Sequence, residues 1–210
     1  DTPKAADNLK LDINAETGDV NLTWDAVTAG VNDGFIGDIK YDVVRYPGET
    51  VVAKGVTATS ATDKLNTRDL TAYAYGVKAY NDKKTGAEAR TDYKLYGDPI
   101  TPPYAEGFDS KDAMAYFTVI NNNDDKSTWT YYQNSDGSGE VRYTYNSKNG
   151  GDDWLITPPL KVEKGKIYTV KFKAKSYKSS FVERLEVKYG STNTVEGMKN
   201  VILEPTDLPG

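Results

Sequence analysis

Apolar side chains in this chain recur at every second residue rather than at the three- and four-residue spacing of a helix, and that period restricts it to β structure. Leu9, Leu11 and Ile13 alternate, Glu16-Thr17-Gly18-Asp19 supplies a turn, and Val20, Leu22 and Trp24 alternate again, the pattern of a hairpin. Ile39, Tyr41 and Val43 share a face ahead of a Pro47-Gly48 turn, and Val51-Val52-Ala53 reads as a short edge segment. Tyr73, Tyr75, Val77 and Ala79 line one face up to a break at 81–86, and Thr91 to Tyr96 forms a last run. Successive side chains of a strand point to opposite faces, so such runs build sheets buried on one side.

The second half follows the same rule after a turn or short helix near Ser110 to Met114. Trp129 and Tyr131 share a face, Val141, Tyr143 and Tyr145 form another run, and Trp154-Leu155-Ile156-Thr157-Pro158-Pro159-Leu160 is a stiff segment. The clearest amphipathic strand is expected at Ile167 to Lys175, with Tyr168, Val170, Phe172 and Ala174 on one side and Thr169, Lys171, Lys173 and Lys175 on the other. Leu185, Val187 and Tyr189 repeat the pattern with Arg184, Glu186 and Lys188 outside.

A chain of 210 residues accommodates two domains of about 100 residues each, and Pro99 to Pro103 is the natural joint, being proline-rich and stiff. The division expected is residues 1–98, a linker at 99–103, and 104–210. A net charge of −5 opposes a role on nucleic acid, where a basic face would be needed to displace counterions. No apolar run approaches the roughly 20 residues that span a bilayer as a helix. With no histidine and no cysteine, imidazole bases, thiolate nucleophiles and the usual zinc sites are absent, leaving paired carboxylates as the one common catalytic machinery. No glycosidase-like signature accompanies the 31 acids, so the chain is expected not to be an enzyme.

Trp24 at the end of the second strand, the Tyr73 to Asn81 run, and Gly86 opening the last strand together resemble a fibronectin type III domain over nearly the whole first half. The resemblance implies an immunoglobulin-like sandwich of about seven strands with Trp24 in the core and Tyr73 as the corner tyrosine bonding back to the chain. Leu70 three residues before Tyr73, and the loop at 31–37, depart from the commoner pattern. In the second half, Gly107-Phe108-Asp109, the Asn121-Asn122-Asn123-Asp124-Asp125 loop ahead of Trp129, Asp152-Asp153-Trp154-Leu155-Ile156-Thr157-Pro158 and the Tyr168 to Ala174 strand resemble the jelly-roll modules called choice-of-anchor J or cleaved-adhesin domains. The likeness implies a jelly-roll-like β-sandwich. It covers 104–210, whereas members of that family continue through several more strands, and a chain trimmed from a longer parent is expected.

The resemblance also implies structural calcium, held by Asp109 with Asp152 and Asp153; the competing reading is that the pair caps a turn after Gly150-Gly151. Asn121, Asn123 and Asp125 offer further hard oxygen donors, or else form a solvated turn. Trp129, Tyr131, Tyr132, Tyr143 and Tyr145 are the densest aromatic stretch, and exposed aromatic planes beside amides or carboxylates are what sugar rings stack on. Alternation sends about half of these rings inward. The Lys171-Lys173-Lys175 row would suit an anionic polysaccharide but equally solvates a strand face.

The function expected is adhesion or carbohydrate binding, by a monomer that meets a glycan or a host or matrix protein on the outside of a bacterial cell. The alternative is a pair of spacer domains in a larger surface-anchored enzyme, without a ligand of their own.

Overall fold

The computed structural model describes residues 1–210 and separates into two compact units, Asp1–Pro99 and Ile100–Gly210. Both are β-rich. The first contains β1 (Lys10–Ile13), β2 (Asp19–Thr23), β3 (Lys40–Tyr46), β4 (Thr50–Val56), β5 (Ser60–Lys64), β6 (Thr71–Tyr80), β7 (Thr85–Arg90) and β8 (Lys94–Tyr96). One sheet runs β1-β2-β5 and the other β4-β3-β6-β7, with β8 also pairing β6, and every pairing is antiparallel. This strand order is that of an immunoglobulin-like sandwich of the fibronectin type III kind.

The β1–β2 hairpin closes because Asn14 Oδ1 accepts from the amides of Glu16 and Thr17, both at 3.0 Å, and the Gly18 amide donates to Asn14 O at 2.8 Å. Gly18 has φ +75°, and a Cβ there would lie 2.5 Å from both Leu65 O and the Tyr96 hydroxyl, so no other residue fits. Register then sets Leu11 opposite Leu22, which sends Leu11, Val20, Leu22 and Trp24 inward against Tyr41, Val43, Tyr73, Tyr75, Val77 and Ala79 from the second sheet. Trp24 meets Tyr41 edge-on, ring centroids 5.4 Å apart, and Tyr41 accepts the Val27 amide at 2.9 Å.

Strand β6 is covered on both faces, because Glu88 of β7 lies across Gly76 and also accepts the Tyr46 hydroxyl at 3.0–3.1 Å. Tyr73 is buried, but the tyrosine that bonds back to the chain is Tyr75, whose hydroxyl donates to Asp63 at 2.8 Å beside the Arg45–Asp63 ion pair at 2.7 Å. Tyr73 makes no such bond, and the Tyr75 contact, to a side chain of β5 and not to backbone, is a tie between the two sheets and not the expected corner.

The second unit contains β9 (Thr118–Asn121), β10 (Trp129–Gln133), β11 (Gly139–Tyr143), β12 (Asp153–Ile156), β13 (Arg184–Tyr189) and β14 (Asn200–Asp207), paired as β9–β12, β10–β11 and β13–β14. A 3-10 turn at Lys111–Tyr116 is capped by Ser110, whose hydroxyl accepts the Asp112 amide at 3.1 Å. Ile100, inside the proline-rich joint, pairs with Leu160, donating to Pro159 O at 2.9 Å and accepting from Lys161 at 2.8 Å. The strand expected at Ile167 to Lys175 pairs with nothing, and Tyr168, Val170, Phe172 and Ala174 are all exposed; β13, its neighbour in sequence, is paired with β14 instead. Tyr189, paired with Asn200 at the end of β13 nearest the connection to β14, is also exposed.

Burial, then the Asp63 carboxylate, pushes the Tyr75 phenol well above its ordinary value. A raised folded-state value means this contribution to stability is complete below the unfolded phenol's value of about 10 and is lost as pH rises beyond it. Tyr75→Phe is expected to cost about 1.5–3 kcal/mol at neutral pH, the worth of a buried bond to a charged acceptor. The same variant is expected to flatten the fall in stability above that pH, as urea titrations of both proteins across the alkaline range will show.

Candidate functional site

The hairpin β10–β11 carries four of the five aromatic candidates. Its turn is set by Asp136, whose Oδ1 accepts the Ser138 amide at 2.9 Å, and by Gly137 at φ +89°. Register places Trp129 opposite Tyr143 and Tyr131 opposite Val141 on one face, with Tyr132 opposite Glu140 and Thr130 opposite Arg142 on the other. Trp129, Tyr131 and Tyr143 are half-buried; Trp129 packs on Tyr143 at 5.8 Å and its indole N–H donates to Asp153 O at 3.0 Å. Tyr132 is 45% exposed, and Tyr145, beyond the end of β11, is 69% exposed.

The outward face is a set of polar groups fixed around one ring. The Arg142 guanidinium sits 3.3 Å from the Tyr132 centroid, donates to Glu140, and donates to Asn134 Oδ1 at 2.9 Å. Asn134 Nδ2 in turn reaches Glu140 at 3.4 Å. Arg142 foremost, with help from Asn134 and the charge of Lys175, holds the Glu140 carboxyl below the usual carboxylate range, and Glu140 raises Arg142 in return. Arg142, Glu140 and Asn134 were not singled out from sequence. The Asp136-Gly137 pair signals a turn, but a two-residue turn there would set 132 opposite 141; the observed three-residue turn at 135–137, centred on Asp136, sets 132 opposite 140 and so puts 132, 140 and 142 on one face.

Pairing of β9 with β12 brings Asn121, Asn123, Asp125, Asp152 and Asp153 to one place. Asn122 donates its amide to Asp152 O at 3.0 Å and its side chain to Asp152 Oδ2 at 2.6 Å, while the Trp154 indole donates to Asp152 Oδ1 at 3.1 Å. The loop is closed by Asn121 Nδ2 on Asp125 O at 2.5 Å and by Asn123 Nδ2 on Gly150 O at 2.9 Å. Asp125 Oδ1 accepts the Ser127 amide at 2.6 Å. Both carboxylate oxygens of Asp153 are buried without a donor, as are the hydroxyls of Tyr143 and Thr128. Burial raises the Tyr143 phenol, and Asp153, Asp125 and Glu183 raise it further. Asp109 is exposed, and no hydrogen bond or ion pair joins it to this cluster. No three carboxylates gather as a ready metal site.

The first unit holds what the sequence did not suggest: two shallow clefts of about 310 Å³ and 480 Å³, the first beside Trp24 and Asp25, the second between Val27, Phe35 and Thr59. Both lie in the other unit from the aromatic hairpin. The outer face of β3, β6 and β7 also carries Arg90 stacked 3.6 Å from the Tyr46 centroid and donating to the Tyr93 hydroxyl at 3.2 Å.

No protein-family model matches the chain, and no curated protein matches it. Among solved structures, it is similar to an Fn3-like protein from Clostridium thermocellum, 26% identical over 43% of this chain and 92% of that one, TM-score 0.33. The chicken interferon gamma receptor alpha chain is 11% identical over 75% of this chain and 84% of its own, TM-score 0.34. The FN1–FN3 domains of chicken CNTN1 are 13% identical over 75% of this chain and 59% of theirs, TM-score 0.35. The strand pairing itself, and not these partial superpositions, defines the fold. No helix is long and apolar enough to cross a membrane.

Arg142→Met is expected to raise the Glu140 carboxyl towards the usual range, with Asn134 and Lys175 still holding it down in part, a shift that carbon-detected NMR titration of the side-chain carboxyls will register. Glu140 is depressed in the folded state, so whatever stability it lends is present above the ordinary glutamate value and fades as pH falls through the folded one.

Proposed function

We propose that this chain is a non-catalytic adhesion segment of a secreted or surface-attached bacterial protein, in which the second unit, a choice-of-anchor-J-like module, binds carbohydrate and the first serves as a spacer. The observation that carries the reading is the outward face of β10–β11. There an exposed tyrosine ring is locked beside a guanidinium, a carboxylate and a carboxamide. A pyranose needs an apolar plane for its C–H face and fixed donors and acceptors for its hydroxyls, and groups already held by one another lose little freedom on binding. Trp129, Tyr131 and Tyr143, on the inward face, act as its packing support, and Tyr145 extends the exposed aromatic surface.

Calcium fits part of the neighbouring cluster. A carboxylate buried with no donor is costly unless a cation meets it, and calcium accepts carboxylate, amide and backbone oxygens alike. Asp153 and Asp125, with the side-chain oxygens of Asn121 and Asn123, would hold it; Asp152 is engaged by Asn122 and Trp154, and Asp109 stands apart. The ion would stabilise the turn below Trp129 and take no part in chemistry.

The second reading is a pair of spacer domains in a larger surface protein, favoured by the half-burial of Trp129, Tyr131 and Tyr143, three of the five aromatic candidates. A glycan-array screen of the intact chain separates the two: binding that weakens at least tenfold in Tyr132→Ala and in Arg142→Ala supports the lectin-like face, and silence across the array supports the spacer. Calcium is expected to raise the melting temperature of the chain and Asp153→Asn to abolish that rise, because a ligand of the folded state alone stabilises by mass action. An identical transition with calcium and with chelator would remove the ion.

A further inference from the structure

Residues 167–175 have the side-chain pattern of a strand and none of its bonds. No backbone hydrogen bond is formed by any of the nine, and no strand pairs with them. Ile167 is 97% exposed, Val170 55% and Phe172 51%. The segment includes no proline, so all nine amides and all nine carbonyls are available to a partner. The surrounding stretch 161–178 holds seven lysines against one glutamate, in a chain whose net charge is −5. Lys166 is paired with Glu163 and Lys175 acts on Glu140, but Lys171 and Lys173 meet no acid.

We propose that residues 167–175 are a docking edge for an extended polypeptide of alternating apolar and acidic residues, which adds to the second unit as a strand. Its backbone would satisfy the amides and carbonyls of alternate residues along one edge, its apolar side chains would join Tyr168, Val170 and Phe172, and its carboxylates would lie along Lys171, Lys173 and Lys175. A second copy of this chain is a poor occupant, because antiparallel self-pairing sets lysine against lysine on one face. An anionic glycan would answer the charge but neither the backbone nor the apolar row. The edge is on a different element from the Tyr132 face and does not depend on carbohydrate binding there.

The test uses the intact chain and two synthetic nine-residue peptides, one alternating valine and glutamate, the other valine and lysine. Hydrogen exchange at 167–175 is expected to be fast in the chain alone and slowed at least tenfold by the glutamate peptide only. Lys171→Glu with Lys173→Glu is expected to raise the Kd for that peptide at least tenfold. Thr169→Pro and Val170→Pro remove amides that point to opposite edges and bond to nothing in the fold, and at least one of the two is expected to weaken binding without changing the melting temperature. Amides already protected in the free chain, equal binding of both peptides, or full affinity in both proline variants each overturn the proposal. So does protection by dextran sulfate but not by peptide, which would give the edge to an anionic glycan, or protection that rises with chain concentration, which would give it to a second copy.

Discussion

A strand has two demands that must be met together: its amides and carbonyls need partners, and its apolar side needs cover. Strand β6 meets both completely. β3 and β7 pair with it, the β1-β2-β5 sheet covers Tyr73, Tyr75, Val77 and Ala79, and Glu88 closes over Gly76 behind it. Everything else in the first unit is arranged around that strand, including the outer-face stack of Tyr46, Glu88 and Arg90, which exists because β6 needs covering there. The segment 167–175 has the same alternation and meets neither demand. The contrast between the two explains why one unit has a continuous core while the other is held by three separate strand pairs.

In the second unit, polar contacts do much of what apolar burial does in the first. The loop at 121–125 and the 150–153 turn are laced by asparagine side chains to backbone carbonyls and to Asp152, and the Trp129 indole is tied to Asp153 O. Such a network is stiff only while its members are satisfied, and the Asp153 carboxylate is the member without a donor. Trp129 packs on Tyr143 in the hairpin that carries the outward face.

Much of the fold was legible in the residues. The hairpin Leu11–Leu22, the burial of Trp24, the Tyr73 to Ala79 face and the Ser110 turn all follow from period-two alternation and local turn chemistry, which act over a few residues. The exchange of Tyr73 for Tyr75 as the bonded tyrosine was not legible, because it depends on where Asp63 of another strand falls. The aromatic candidates were found as a set, but which ring faces out was decided by hairpin register: the same alternation that turns Trp129 and Tyr131 inward turns Tyr132 outward. Asp109, placed with the cluster by family likeness, is exposed and shares no hydrogen bond or ion pair with it.

What the sequence by itself determined is the class of structure and the chemistry excluded: alternation dictates sheets, and a chain without histidine or cysteine forgoes the common catalytic and metal-binding side chains. Only the tertiary structure decided which strands find partners, which ring faces solvent, and that Arg142, Glu140 and Asn134 lie beside it. The reason is one of range. Side-chain alternation is a property of neighbouring residues, whereas register and pairing depend on segments brought together from far along the chain, and a shift of one residue in either would turn every face around.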